Sequence, residues 1–187
     1  MPLPIVAIVG RPNVGKSTLF NRILNRQIAV VDPLPGVTRD RHYAEASWGE
    51  VRFTLVDTGG YLPPGEGDAL TALVREQTLI ASEEADLVLL VADAQAAPSD
   101  VDIGLARILK GRGVPVIFVA NKVDDATLLG QAWELPRVGV GEPFPVSARN
   151  GYRMGALLDA IAVRLKELKP AYPAAPAEDE LALAVIG

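Results

Sequence analysis

The run Gly10-Arg-Pro-Asn-Val-Gly15-Lys16-Ser17 spaces two glycines, a lysine and a hydroxyl in the pattern that holds polyphosphate. It directly follows the apolar segment Ile5-Val-Ala-Ile-Val9 and opens a helical pattern, which is the strand-loop-helix setting of a phosphate-binding P-loop. The glycines let the backbone curl until successive N–H groups point inward at anionic oxygens. The following helix presents its positive end to the same charge. Lys16 is then placed to reach the β- and γ-phosphates of a nucleotide. Ser17 is placed to set its hydroxyl on Mg²⁺, a hard cation that keeps most of its water and takes oxygen ligands.

Three further clusters carry chemistry. Asp57-Thr-Gly-Gly60 ends one apolar run, Asn121-Lys122-Val-Asp124 ends another, and Ser147-Ala148 follows the short Phe144-Pro-Val146 segment. All three fall at strand C-terminal ends, where open α/β sheets bind ligands. With Thr38, the set resembles the five signature motifs of translation-factor-type GTPases in order and interval. Asp124 supplies a physical reason for the base. Guanine presents two N–H donors on one edge, at N1 and the exocyclic amine, and one carboxylate accepts both. Adenine offers no such pair, and a site left unpaired discriminates by a factor on the order of 10⁴ or more in favourable cases. The expectation is GTP or GDP. An adenine-nucleotide ATPase or small-molecule kinase shares the P-loop but gives no reason for Asp124.

The resemblance implies further roles. Asn121 supports the base at N7 and ties its loop to the P-loop, the Lys122 stem covers the base plane, and the Ala148 N–H meets the guanine carbonyl oxygen. Asp57 holds Mg²⁺ through water, the Gly60 N–H meets the γ-phosphate, and Thr38 completes the metal shell when GTP is bound. The nucleotide residues are thus Asn13, Val14, Gly15, Lys16, Ser17, Thr18, Thr38, Asp57, Gly60, Asn121, Lys122, Asp124, Ser147, Ala148 and Arg149. Of these, Lys16, Thr38, Gly60 and Asn13 are assigned to catalysis, and Ser17, Thr38 and Asp57 to the Mg²⁺ ion.

The elements that must position these residues read as α/β. Ile5 to Val9, Leu87 to Val91 and Val114 to Ala120 are continuous apolar runs, as strands covered on both faces are. Helical stripes lie between, among them Met154, Leu157, Leu158, Ile161, Leu165 and Leu168. The expected fold is a doubly wound, mostly parallel sheet with helices on both faces. His42 to Trp48 and Val51 to Asp57, separated by Gly49-Glu50, add one antiparallel edge strand. Ser99 and Asp102 form a capping box for a helix reaching about Lys110, stopped by Gly111 and Gly113. Gln27 to Arg41 and Gly59 to Gly67, rich in proline and glycine, read as loops that switch with the γ-phosphate. Trp48 and Trp133 read as packing residues, and His42 as an edge-strand residue without a metal role.

Gly10-Arg-Pro-Asn-Val-Gly-Lys-Ser-Thr-Leu-Phe-Asn21, Pro35-Gly-Val-Thr-Arg-Asp40 and the glycine pair of Asp57-Thr-Gly-Gly60 resemble the first GTPase domain of the Der, or EngA, family over residues 4 to about 168. That family carries two tandem G domains. Residues 169–180 read as a Pro/Ala-rich linker, and Leu181-Ala-Leu-Ala-Val-Ile-Gly187 echoes Ile5 to Gly10, as the first strand of a truncated second domain would. The echo separates this reading from Era and MnmE, which share the P-loop spelling. The G domain is assigned residues 1–168. Membership implies a role in assembling the large ribosomal subunit through the full-length protein.

Ras-like GTPases place a water-orienting glutamine just after the Asp-x-x-Gly motif. Here that position is Tyr61, followed by Leu62. Relatives carrying an asparagine at the position of Asn13 bind K⁺ beside the phosphates, and the resemblance implies that K⁺ supplies the positive charge of an arginine finger. Arg39 and Arg41 are the other candidate fingers. The alternative reading is a regulatory guanine-nucleotide module with little hydrolysis of its own.

Composition narrows the partners. The chain has 187 residues and a net charge of −5, so no global positive field draws it to nucleic acid or anionic lipid. It has no cysteine, which excludes disulfides and thiolate sites and fits a reducing compartment, read as the cytoplasm. No apolar run approaches the roughly 20 residues of a membrane span, so a soluble protein is expected. Asp124→Asn is expected to weaken GDP binding and to favour xanthine nucleotides in a titration; unchanged GDP affinity would remove Asp124 from the base site.

Overall fold

A computed structural model describes residues 3–25, 42–59, 68–133 and 135–168. The central strand β1 (Ile5–Val9) is apolar at every position because it is covered on both faces. Its side chains alternate between two cores. Val6 and Ile8 pack with Leu19 and Ile23 of α1 (Lys16–Asn25) and with Leu157 and Ile161 of α5 (Met154–Leu168). Ala7 and Val9 pack on the opposite face with Val74 of α2 (Asp68–Glu84) and with Leu105 and Leu109 of α3 (Asp100–Arg112).

Among the described residues the sheet has six strands, numbered in chain order and arranged β2-β3-β1-β4-β5-β6. β3 (Val51–Asp57), β1, β4 (Leu87–Asp93), β5 (Val116–Asn121) and β6 (Phe144–Pro145) are parallel, and β2 (His42–Trp48) runs antiparallel to β3 at the edge. This is the expected doubly wound sheet. The Gly49-Glu50 turn joins the paired residues Trp48 and Val51, and Gly49 takes the left-handed φ of 57° that a tight hairpin requires. The Trp48 indole N–H donates to Asp159 Oδ1 at 2.7 Å and clasps this edge to α5.

The Ser99 cap forms as expected. Its hydroxyl accepts from the Asp102 N–H at 3.2 Å, and Asp102 Oδ2 accepts from the Ser99 N–H at 3.0 Å. α3 continues through Gly111 to Arg112, so Gly111 does not stop it; the stop is Gly113, at a left-handed φ of 69°. Trp133 departs from the packing expectation, with half its surface exposed. It follows the four-residue helix α4 (Leu129–Ala132), whose buried position falls to Ala132, and successive helical residues point about 100° apart.

The parallel register lines up the functional ends. Ile8 pairs with Asp57 and Asp93 with Asn121, so Gly10, Asp57, Asp93 and Asn121 sit along one sheet edge, joined by Ser147 beyond β6. The loops at 27–41 and 60–67, the linker at 169–180 and the echo at 181–187 lie outside the described residues. Leu157→Ala, which empties a fully buried site beneath β1 and α1, is expected to cost about 2–5 kcal/mol in chemical denaturation, while Ile161→Val costs about 0.5–1.5.

Candidate functional site

The loop between β1 and α1 is shaped by close approaches that exclude side chains. A Cβ at Gly10 would collide with the Val91 carbonyl, and one at Gly15 with Asn121 Nδ2. Both glycines have positive φ, as does Asn13 at 65°, a left-handed value that asparagine tolerates. The Lys16 ammonium lies within this curl and donates to the carbonyls of Gly10 at 2.9 Å and Arg11 at 3.0 Å. Arg11 braces the outer side: its Nε donates at 3.1 Å to Oδ2 of the buried Asp102 at the start of α3.

The end of β3 meets the start of α1. Ser17 Oγ donates to Asp57 Oδ2 at 2.8 Å, and the Gly59 N–H donates to Asp57 Oδ1 at 2.9 Å. The Thr58 hydroxyl, bonded to the Ile8 carbonyl at 2.8 Å, pins the turn to β1. Ser17 and Asp57 are hard oxygen donors of the type Mg²⁺ takes, and they are already adjacent. Among the described residues no three or more carboxylate or histidine side chains are grouped so as to hold a metal ion by themselves.

The other half of the site is built on β5 and the segment after β6. Asn121, buried at the end of β5, donates from Nδ2 to the Val14 carbonyl at 2.9 Å and accepts the Ala148 N–H on Oδ1 at 3.0 Å. One side chain thus fastens the loop after β1 to the segment after β6. Asp124 is held by Ser147 Oγ, which donates to its Oδ1 at 2.6 Å, and its carbonyl accepts from Asn150 Nδ2 at 2.9 Å. Lys122 has a left-handed φ of 70° and pairs with Asp93 Oδ2 at 2.7 Å, while its carbonyl accepts from Gln95 Nε2 at 2.9 Å. Gly15, Thr18, Gln95, Asn121, Lys122, Asp124 and Arg149 line one cleft of about 290 Å³.

A family profile described as 50S ribosome-binding GTPase matches residues 5–122. The chain belongs to this GTPase family. It is also similar over its whole length to the GTPase Der of Moorella thermoacetica, with 47% identity, and over 98% of its length to that of Myxococcus xanthus, with 46% identity. It spans only 42% and 41% of those two proteins. Among solved structures, a variant of Aquifex aeolicus Era bound to GDP·AlF₄⁻ superposes with a TM-score of 0.67 at 32% identity, covering 88% of this chain and 57% of that one.

Within this GTPase domain the fold brings together Asn13, Val14, Gly15, Lys16, Ser17, Thr18, Asp57, Asn121, Lys122, Asp124, Ser147, Ala148 and Arg149 along one edge of the sheet. Thr38 and Gly60, with Arg39, Arg41 and Tyr61, lie outside the described residues. The Ala148 N–H, expected to meet the base, donates to Asn121 here. Sequence reasoning missed Asp93, Gln95 and Asn150, which hold Lys122 and Asp124, and Arg22, which bonds the base loop from α1. No local pattern marks them; Arg22 lies 126 residues from its acceptor.

Burial holds the Lys16 pKa below its ordinary value of 10.5, opposed by the attraction of Asp57. The unfolded chain therefore binds more protons in the alkaline window below 10.5, and stability rises with pH there. Below that window the cost of burying the ammonium is fully present. In denaturation of nucleotide-free protein, wild type is expected to gain stability relative to Lys16→Met as pH climbs toward 10.5; a gap independent of pH would contradict the assignment.

Proposed function

We propose that this chain binds GTP with Mg²⁺ and hydrolyses it to GDP and phosphate. The observation that carries the reading is the single cleft in which P-loop Gly15 and Thr18 face Asp124 and Arg149, with Asn121 bridging both sides. On this reading the Asp124 carboxylate accepts the N1 and exocyclic amine protons of guanine, its Oδ1 keeping acceptor capacity beside the Ser147 bond. Asn121 borders the base at N7, the Lys122 stem covers its plane, and Arg149 offers its N–H to the base carbonyl oxygen while the Ala148 N–H stays on Asn121 Oδ1. Lys16 leaves the Gly10 and Arg11 carbonyls for the β- and γ-phosphates, whose negative charge offsets the cost of its burial.

Ser17 and Asp57 would hold Mg²⁺, with Thr38 added in the GTP state. The ion, when bound, neutralises charge on the phosphate oxygens. The Gly60 N–H meets the γ-phosphate, so the loops at 27–41 and 59–67 report its presence. Asn13 is the proposed ligand of K⁺, which would supply positive charge beside the phosphates in place of an arginine finger, an element worth about 10³ to 10⁵ in rate.

The full-length protein is proposed to carry a second G domain in cis, with residues 1–168 as the first, 169–180 as linker and 181–187 as the opening strand of the second. The similarity to Der, of which this chain spans about two fifths, supports that reading. The family description, a 50S ribosome-binding GTPase, supports a proposed role of the full-length protein in large ribosomal subunit assembly. The cytoplasm is the proposed location; among the described residues no helix is long and apolar enough to cross a membrane. Tyr61, at the position of the Ras glutamine, favours a second reading: a regulatory guanine-nucleotide module whose turnover depends on its neighbours.

GTP hydrolysis measured in KCl and in NaCl at matched ionic strength separates the two. A catalytic domain is expected to be faster in KCl, with the difference lost in Asn13→Ala. Equal, near-zero rates with intact GTP binding would instead establish the regulatory module.

A further inference from the structure

Arg22 lies on α1, the helix whose first residues are Lys16 and Ser17, and its guanidinium reaches across to the base loop. Its Nε donates to the Ala148 carbonyl at 2.7 Å, and one Nη donates to the Arg149 carbonyl. A cation in the last turn of a helix ordinarily satisfies that helix's own carbonyls. Here the planar fork spans two successive carbonyls of another segment, a geometry that a lysine ammonium does not reproduce. Asn121 takes the opposite side of the same loop by accepting the Ala148 N–H. The peptide groups on both sides of Ala148 are therefore held, one from β5 and one from α1.

This fixes where the neighbouring N–H groups point. The described peptides are all trans, and in a trans peptide the C=O and N–H point in opposite directions. An Ala148 carbonyl drawn toward α1 turns the Arg149 N–H away from α1, and Arg149 lines the cleft. The next N–H, of Asn150, ends on Ser147 Oγ at 3.2 Å.

We propose that Arg22 is a positioning residue for guanine recognition: by holding the Ala148 and Arg149 carbonyls it aims the Arg149 N–H at the carbonyl oxygen of the base. The proposal rests on the reading of the cleft as a guanine site. It gives the phosphate-binding helix a hold on base selectivity through a contact other than the Asp124 carboxylate, which Ser147 Oγ anchors while Asn150 Nδ2 takes the Asp124 main-chain carbonyl.

The test compares nucleotide-stripped wild type, Arg22→Ala and Arg22→Lys, each with Mg²⁺, for affinity to GDP, 6-thio-GDP, IDP and ADP. 6-Thio-GDP replaces the base carbonyl oxygen by a poor acceptor and keeps the amine edge; IDP keeps the oxygen and lacks the exocyclic amine. Arg22→Ala is expected to bind GDP about 10- to 100-fold more weakly and to lose most of the preference for GDP over 6-thio-GDP. Its preference for GDP over IDP should stay within about threefold of wild type, because the Asp124 contacts do not pass through Arg22. Arg22→Lys, which keeps the charge and stem, should fall between and carries the same test independently of any loss of fold in the alanine variant. Unchanged GDP affinity, or an equal loss for GDP, 6-thio-GDP and IDP, would overturn the role in base recognition. Wild type that binds GDP no better than ADP would overturn the guanine reading itself, and this assignment with it.

Discussion

Asn121 is the side chain on which the site depends, because it holds two segments far apart in the chain, the loop after β1 and the segment after β6, in fixed relation. The amide is suited to this. It carries donors and an acceptor on one rigid plane, so it takes the Val14 carbonyl of the P-loop and the Ala148 N–H of the base loop at once. It is buried at the end of β5, where unpaired backbone groups would cost about 1–3 kcal/mol each. The close approach of Gly15 follows from the same constraint. Any side chain there would occupy the space of the Asn121 amide. The glycine is needed for contact as much as for its backbone angle.

Charge is organised around this frame. Lys16 is held inside the loop by two carbonyls, and Ser17 is paired with Asp57, so ammonium, hydroxyl and carboxylate are fixed close together. The buried ammonium carries a desolvation cost that opposes folding, offset in part by the attraction of Asp57. Arg11 and Asp102 carry the bracing outward to α3, linking the phosphate loop to the helix packed against α2.

The motifs from Gly10 to Ser17, at Asp57 and at Asn121 to Asp124 were legible in the sequence because each is a local run whose spacing encodes its own turn. The sheet was legible for a related reason: strands buried on both faces must be apolar throughout, and a helix with one buried face must show a stripe, as Met154, Leu157, Leu158, Ile161 and Leu165 do. Helix ends were readable where a cap is a local hydrogen bond, as at Ser99. Gly111 misled because glycine lowers helix stability only modestly when the following turn can still form, and the left-handed stop came two residues later at Gly113.

What the linear order could not contain was pairing between residues far apart. Nothing near Arg22 announces that it will bond carbonyls at 148 and 149, nor near Asp93 that it will hold Lys122, because those partners meet only when parallel strands bring their C-terminal ends to one edge. The same holds for the Ala148 N–H, which the motif assigns to the base and the fold directs to Asn121. Sequence by itself determined the chemistry of this protein, through residue types at fixed local spacing. The tertiary structure decided which of those groups share a bond, since that depends on sheet register and helix placement rather than on neighbours in the chain.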